Sequence, residues 1–143
     1  MTNEKYLNLV YQNIQIAIQS IEKMYPKFRS SKLKQLMKKT QEQYTNFKNE
    51  CITLAKDKKI TLKDTNFFMK FMLSSSICLN TIFDKSSSHI AELFLLGTVR
   101  GTIKLYKHSK ESKDFDDDIL NLSNSLLSFE EQSYNEIKNY LKA

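Results

Sequence analysis

Apolar side chains recur every three or four residues along four long stretches of the chain, which is the spacing of one face of an α-helix. The first stretch covers residues 3–25, and Pro26 ends it because a proline disfavours helical geometry in the preceding residue. Ser30 or Ser31 can cap a second helix, which fades near Asp57. Its stripe consists of Leu33, Met37, Thr40, Tyr44, Phe47, Cys51 and Leu54.

The second half of the chain contains two further long helices by the same criterion. One covers residues 89–109, after a capping segment at residues 84–88. The other begins at the acidic run 116–118, where negative charge suits the helix dipole, and reaches Leu141. Its stripe is predicted to contain Leu120, Leu127, Tyr134, Ile137 and Leu141.

Between these two pairs lies an apolar stretch, residues 67–83, whose apolar side chains are not confined to one face. A helix of this kind is covered on more than one side, by the rest of the fold or by a second subunit. The stretch therefore predicts a short extra helix, and Phe67, Phe68 and Phe71 are candidate interface residues.

The lengths of the connections determine how the long helices are arranged. Short links make the first pair and the last pair antiparallel, whereas residues 58–88 are enough to travel the length of a bundle. We therefore expect an all-α fold: a ferritin-like up-down four-helix bundle with a long middle crossover that contains the extra short helix. Residues 1–143 are expected to form this single domain.

Composition supports the all-α prediction and excludes other classes. Only two Gly and one Pro occur, so tight hairpin turns are scarce and all-β folds are excluded. No apolar run approaches the roughly 18 residues of a membrane span. The opening MTNEKYLNLVYQN has no signal-peptide core, and Cys51 and Cys78 are typical of reduced core residues, so we expect a cytoplasmic protein.

The charge is unevenly distributed along the chain. Residues 27–63 contain ten Lys and one Arg against three acidic residues, whereas the whole chain carries a net charge of +6. Nucleic-acid binding is one hypothesis, but base and phosphate recognition favours Arg, and only Arg29 and Arg100 occur. A solvated helix face is therefore the favoured interpretation. The candidate lysines are Lys32, Lys34, Lys38, Lys39, Lys56, Lys58 and Lys59.

The two glycines, Gly97 and Gly101, both fall inside the third long helix and lie on one face of it. Each costs about 1 kcal/mol relative to Ala in a helix, so a close approach of another backbone or a flat ligand is expected there. Helix–helix contact is the favoured interpretation, and it includes contact across a dimer interface.

Three other side chains are candidates for metal binding or proton transfer. His89 and Glu92 share a helix face, and Glu130 lies on the stripe of the last helix. We favour a structural role for the first two, at the end of the bundle. For Glu130 we favour exposure, because a small rotation of its helix would carry it to solvent.

Motifs of metal enzymes are missing from the sequence. Di-iron bundles need Glu-x-x-His pairs, but Ser86 and Leu105 stand three residues before His89 and His108. Where the first helix would need an inward carboxylate, it offers Ile14, Gln15, Ile18 and Gln19. No glycine-rich phosphate loop or Gly-x-Ser-x-Gly motif occurs either. We therefore expect no enzyme activity, no cofactor and no di-metal centre.

The segment DKSSSHIAE at residues 84–92, followed by GTVRG at 97–101, resembles an uncharacterised ferritin-like family of small bacterial proteins. The similarity continues through FEE at 129–131 and, more weakly, through residues 13–21. It implies a ferritin-like four-helix bundle from a low-GC Gram-positive bacterium. Acidic residues are expected in the family at Gln19 and Leu96, and both departures weaken a metal site.

The favoured hypothesis is therefore a non-enzymatic helical bundle that binds a partner protein or a second copy of itself, as a dimer. Gly97, Gly101 and the 67–83 segment would contribute to that surface. One alternative is a non-standard metal or redox site formed by His89, Glu92 and Glu130. The other is basic nucleic-acid binding.

Overall fold

Four α-helices make up most of the computed structural model, which describes residues 1–64, 86–111 and 114–142. They are α1 (Asn3–Met24), α2 (Ser31–Asp57), α3 (Ser87–Ser109) and α4 (Asp117–Ile137). Single 3-10 turns follow α1 at Tyr25–Lys27 and α4 at Lys138–Tyr140. No strand occurs in these ranges, so the predicted all-α class is confirmed there. The extra helix predicted for residues 67–83 lies outside the described residues.

Short polar side chains start three of the helices, as the sequence indicates. The Thr2 and Ser30 hydroxyls accept hydrogen bonds from backbone N–H groups in the first turns of α1 and α2, and Ser86 does the same for α3. These bonds satisfy donors that a helix start otherwise leaves unpaired. Asp117 and Asp118 place negative charge in the first turn of α4.

The chain leaves α2 through a tight cap and is then tied to α1. Lys59 adopts a left-handed conformation with φ 56°, and Ile60 N–H donates back to Ala55 O at 2.8 Å. The Asn8 side chain then donates to Thr61 O at 3.0 Å and accepts from Lys63 N–H at 2.9 Å. The amide of Asn8 therefore fixes the direction in which the chain departs from α2.

The helices pack in a square in which α1 and α4 each contact both α2 and α3. Leu7, early in α1, accepts a long hydrogen bond from the Cys51 thiol, late in α2, so these two helices are antiparallel. Tyr6 of α1 bonds the Ser123 hydroxyl at 2.6 Å in the first half of α4, so α1 and α4 run in the same direction.

Contacts at the other end of the bundle orient α3. Lys142 N–H, beyond the end of α4, donates to Ser88 Oγ at the start of α3, so α3 and α4 are antiparallel. It follows that α2 and α3 are parallel, and α2 ends at the opposite end of the bundle from the start of α3. This placement agrees with the predicted crossover between the second and third long helices.

The core combines apolar stripes from all four helices with a few polar side chains. The predicted stripe of α2 is confirmed, since Leu33, Met37 and Tyr44 are fully buried and Phe47 packs against the core. The Tyr6 and Phe115 rings stack at 4.3 Å where the chain enters α4. No helix in the described ranges is long and apolar enough to cross a membrane.

Candidate functional site

The buried face of α4 differs from the face predicted for it, and this places Glu130 in the core. The buried positions of α4 are Ile119, Leu122, Ser123, Leu126, Glu130, Ser133 and Ile137. Glu130 is 2% exposed, whereas Tyr134 is 38% exposed. The expectation that Glu130 points to solvent is therefore wrong: α4 is rotated so that Ile119, Leu122 and Leu126 face inward, and Glu130 lies on their side.

Two side chains from other helices hold the Glu130 carboxyl group. Asn13 Nδ2 of α1 donates to Oε1 at 2.7 Å, and the Tyr44 hydroxyl of α2 donates to Oε2 at 2.9 Å. Thr98 of α3 lies beside Tyr44 and lowers the pKa of its hydroxyl, while the Thr98 hydroxyl donates to Phe94 O at 2.9 Å. These four residues, Asn13, Tyr44, Thr98 and Glu130, are here called the Glu130 cluster, and all four long helices contribute to it.

Burial dominates the electrostatics of the Glu130 cluster. It raises the pKa of Glu130 to about 8, against the opposing effect of the hydrogen bonds from Tyr44 and Asn13. Burial also raises the pKa of the Tyr44 hydroxyl well above its usual value, and the neighbouring carboxylate adds to this effect. No ion pair joins Glu130 to a cation in the described part of the chain. The carboxyl group is therefore mostly neutral at pH 7.

Gly101 of α3 lies directly against this cluster. A Cβ atom at position 101 would be 1.8 Å from Asn13 Oδ1 and 2.9 Å from Asn13 Cγ. At Gly101 the predicted close approach therefore occurs within the chain, between α3 and an α1 side chain. The role of Gly97 and Gly101 in an interface between subunits stays a prediction.

Two spaces adjoin the Glu130 cluster, and Glu130 and Thr98 line both. The smaller lies between α1 and α3, also touches Asn13 and Gly97, and has a volume of about 10 Å³, the room for one water molecule. The larger is an open groove of about 660 Å³ between α3 and α4, here called the α3–α4 groove.

A band of exposed apolar side chains lies along this groove. Val99, Ile103, Tyr106 and Tyr134 line it, and Leu96 lies on the same side of α3, one turn before Val99. These five residues are here called the α3–α4 face, and each is 37% to 54% exposed. The inward side of α3 is instead formed by residues such as Ile90, Phe94 and Leu105. α3 is therefore apolar on its surface side as well as on its core side.

The three candidate metal ligands do not form one site. His89 and Glu92 lie at the start of α3, with Nδ1 and Oε2 3.9 Å apart, and Glu92 is exposed. His89 Nε2 is buried and has no hydrogen-bond partner in the described ranges. No group of three His, Cys, Asp or Glu side chains in those ranges could hold a metal ion. The alternative in which His89, Glu92 and Glu130 converge within one subunit is therefore wrong.

The remaining residues that the sequence singles out are lysines, cysteines and phenylalanines, and the structure describes only some of them. Lys58 pairs with Asp116 at 2.8 Å and with Asp118 at 2.9 Å, so its charge is already neutralised. Lys34 lies over the Tyr25 ring. Cys51 is buried, and burial raises the pKa of its thiol to about 12, as suits a core residue. Phe67, Phe68, Phe71 and Cys78 lie outside the described residues.

Comparisons with protein-family models, curated protein sequences and solved structures find no match to this chain. The ferritin-like resemblance therefore stays a prediction, and the function has to be argued from the site itself.

Sequence reasoning missed the partners of Glu130. The sequence indicates Tyr44 only as part of an apolar stripe, and it indicates Asn13 only through the resemblance of residues 13–21. One signal was available: a tyrosine on a buried helix face needs a partner for its hydroxyl, and a carboxyl group on a buried stripe needs donors. Their pairing depends on the register between helices, which the sequence pattern does not provide.

Proposed function

We propose that this protein is a non-enzymatic, ferritin-like helical bundle that self-associates through the α3–α4 face. The observation that carries the proposal is the grouping of exposed apolar side chains. Eight large apolar side chains are exposed in the described ranges, and five of them belong to this one face. Grouped exposed apolar surface is typical of interaction sites, whereas isolated apolar residues are ordinary.

Charge complementarity supports a second copy of this chain as the partner. α3 contains three basic residues and one acidic residue, whereas the exposed charged residues of α4 are all acidic. Arg100 and Lys107 border the apolar face on the side away from α4, and exposed Glu131 lines the groove on the other side. A two-fold axis parallel to α3 would therefore oppose the basic edge of each copy to the acidic edge of the other.

The ferritin-like part of the proposal is supported by the directions of the helices. Consecutive helices α2 and α3 are parallel and diagonal, and the pairs α1–α2 and α3–α4 are antiparallel. One long middle crossover gives this order in ferritin-like bundles. The proposal includes no di-metal centre, because the sequence has no Glu-x-x-His motif.

An Ile103→Lys variant tests the self-association surface. Ile103 is 50% exposed at the middle of the face, and a lysine there would bury an unpaired charge in the dimer. We expect the dimer Kd to rise on the order of 100-fold, with a monomeric mass by light scattering at high micromolar concentration. Lysine is a good helix former, so the helical content measured by circular dichroism should be unchanged.

Ile52→Lys is the matched control. Ile52 is 42% exposed on α2, outside the α3–α4 face. We expect this variant to keep the mass of the wild-type protein. Equal masses for the two variants, whether both dimeric or both monomeric, would contradict the assignment of the interface to the α3–α4 face.

A further inference from the structure

The α3–α4 groove combines apolar walls with one buried acidic residue, Glu130, which forms its floor. Five apolar or aromatic residues line it together with uncharged polar and acidic ones, and these five are Val99, Ile103, Tyr106, Leu127 and Tyr134. Glu130 also lines the groove, and it is the residue whose carboxyl group is buried without a cationic partner in the described ranges. An apolar cavity with a few polar groups, in the volume range of 300–1,000 Å³, is the usual form of a small-molecule site.

The carboxyl group of Glu130 retains capacity for a further partner. Each of its oxygens accepts one hydrogen bond, from Asn13 or from Tyr44, and a carboxylate offers about four acceptor positions. Both present partners are neutral. A buried carboxylate paired only with neutral donors pays a desolvation cost that a cation would offset.

The surroundings of the groove also favour a cation over an anion. Exposed Glu131 lines it beside Glu130, and no Lys or Arg does so. At the edge of the groove, Lys110 Nζ lies 4.4 Å from the centroid of the Tyr106 ring, so this ring already holds a cation. Glu130 and Glu131 are therefore the groups of the groove that can attract another one.

We propose that the α3–α4 groove binds a small organic ammonium ion with an apolar body, whose charge pairs with the Glu130 carboxylate. The apolar body lies against Val99, Ile103 and Tyr134, and the ammonium group is directed towards the floor. The groove is built within one chain, but its walls belong to the α3–α4 face, so a bound amine would compete with the second copy. The titration is therefore made at a concentration at which the chain is monomeric.

Calorimetric titration at pH 8.5 with three probes of one shape tests the proposal. Phenethylamine, phenethyl alcohol and phenylacetate share a body but are positive, neutral and negative. We expect the amine to bind at least about tenfold more tightly than the alcohol, since a hydrogen bond to a charged group contributes about 1.5–3 kcal/mol. Binding of the acid should be the weakest. Equal affinity for the amine and the alcohol, or no binding of the amine, would overturn the proposal.

The dependence on pH gives a second readout. Binding of the ammonium ion requires ionised Glu130, and the pKa of this group is about 8 in the free protein. The other groups around it are the neutral side chains Asn13, Tyr44 and Thr98, with Glu131 at the rim. We therefore expect the affinity for phenethylamine to fall about tenfold for each pH unit below 8.

Glu130→Gln and Glu136→Gln form the matched pair of variants, since Glu136 is exposed on α4 and does not line the groove. The first removes the buried charge and should abolish the preference for the amine over the alcohol, whereas the second should change it little. Circular dichroism checks that both are folded. Light scattering separates this proposal from the previous one: amine binding that is lost in Glu130→Gln while the dimer persists supports the ammonium site. A preference for the amine that survives in Glu130→Gln overturns it.

Discussion

The free energy of unfolding is expected to fall by about 1.4 kcal/mol for each pH unit between pH 4.5 and 8 because of Glu130 alone. The pKa of this carboxyl group is 4.5 in the unfolded chain and about 8 in the fold. Between these values the folded protein holds more protons than the unfolded chain, so a rise in pH favours unfolding. The contribution of Glu130 to the free energy of unfolding is therefore most favourable below pH 4.5 and is lost as the pH rises through 8.

Denaturant unfolding of the wild-type protein and of Glu130→Gln at several pH values measures this effect. A glutamine is close in shape, accepts from Asn13 and can donate to the Tyr44 oxygen, so it keeps the hydrogen bonds without a charge. We expect Glu130→Gln to be the more stable of the two by several kcal/mol at pH 8.5, with little difference at pH 5.

The neighbouring Glu131→Gln variant is the control for this experiment. Glu131 is exposed on α4, so the free energy of unfolding of Glu131→Gln should depend on pH in the same way as that of the wild-type protein. Parallel curves for the wild-type protein and Glu130→Gln across this pH range would contradict the buried position of Glu130.

The second large effect is on Gly101→Ala, which helix propensity alone would make stabilising but which we expect to be destabilising. Replacing it by Ala adds about 1 kcal/mol of helix propensity, but the new Cβ would overlap Asn13 Oδ1 at 1.8 Å. Asn13 must then move, and its 2.7 Å hydrogen bond to Glu130 is lost. Leaving a buried polar group without its partner costs about 1–3 kcal/mol, so we expect a net destabilisation.

The same substitution in an Asn13→Ala background isolates the cause. The three atoms nearest to the added Cβ all belong to the Asn13 side chain, so its removal relieves the overlap. Gly101→Ala should then stabilise the protein by about 1 kcal/mol, through helix propensity alone. A cycle of denaturant unfolding measurements would give a coupling free energy of about 1–3 kcal/mol, the cost of the lost hydrogen bond. The same sign of effect in both backgrounds would contradict the contact between Gly101 and Asn13.

The sequence predicts the helices of this fold well because local signals define them. Pro26 follows the first residue after α1, Ser30 caps α2, and the charged run before α4 marks its start. The periodicity of α2 also identifies its buried face, since that helix carries a single apolar stripe. Such features depend on neighbouring residues and need no knowledge of the tertiary structure.

The sequence fails where a helix carries two candidate stripes. On α4, Leu120, Leu127 and Tyr134 compete with the stripe of Ile119 and Leu126, and only packing against the other helices decides between them. The donors that make burial of Glu130 tolerable come from α1 and α2, far away in the sequence. Local periodicity therefore does not reveal the Glu130 cluster.

α3 presents the same difficulty in another form. Its exposed and buried faces are both apolar, since Ile103 and Val99 lie on the surface while Phe94 and Leu105 lie in the core. A helix that is apolar on both sides is typical of one covered by a partner as well as by its own fold. The apolar pattern of α3 indicates that two of its sides are covered, but it does not indicate which of the two faces the core.

Sedimentation equilibrium of the unmodified protein, from low to high micromolar concentration at pH 7, tests self-association most directly. We expect a mass that approaches twice the 16.8 kDa of one chain as the concentration rises and returns to 16.8 kDa on dilution. A mass of 16.8 kDa at every concentration would contradict self-association.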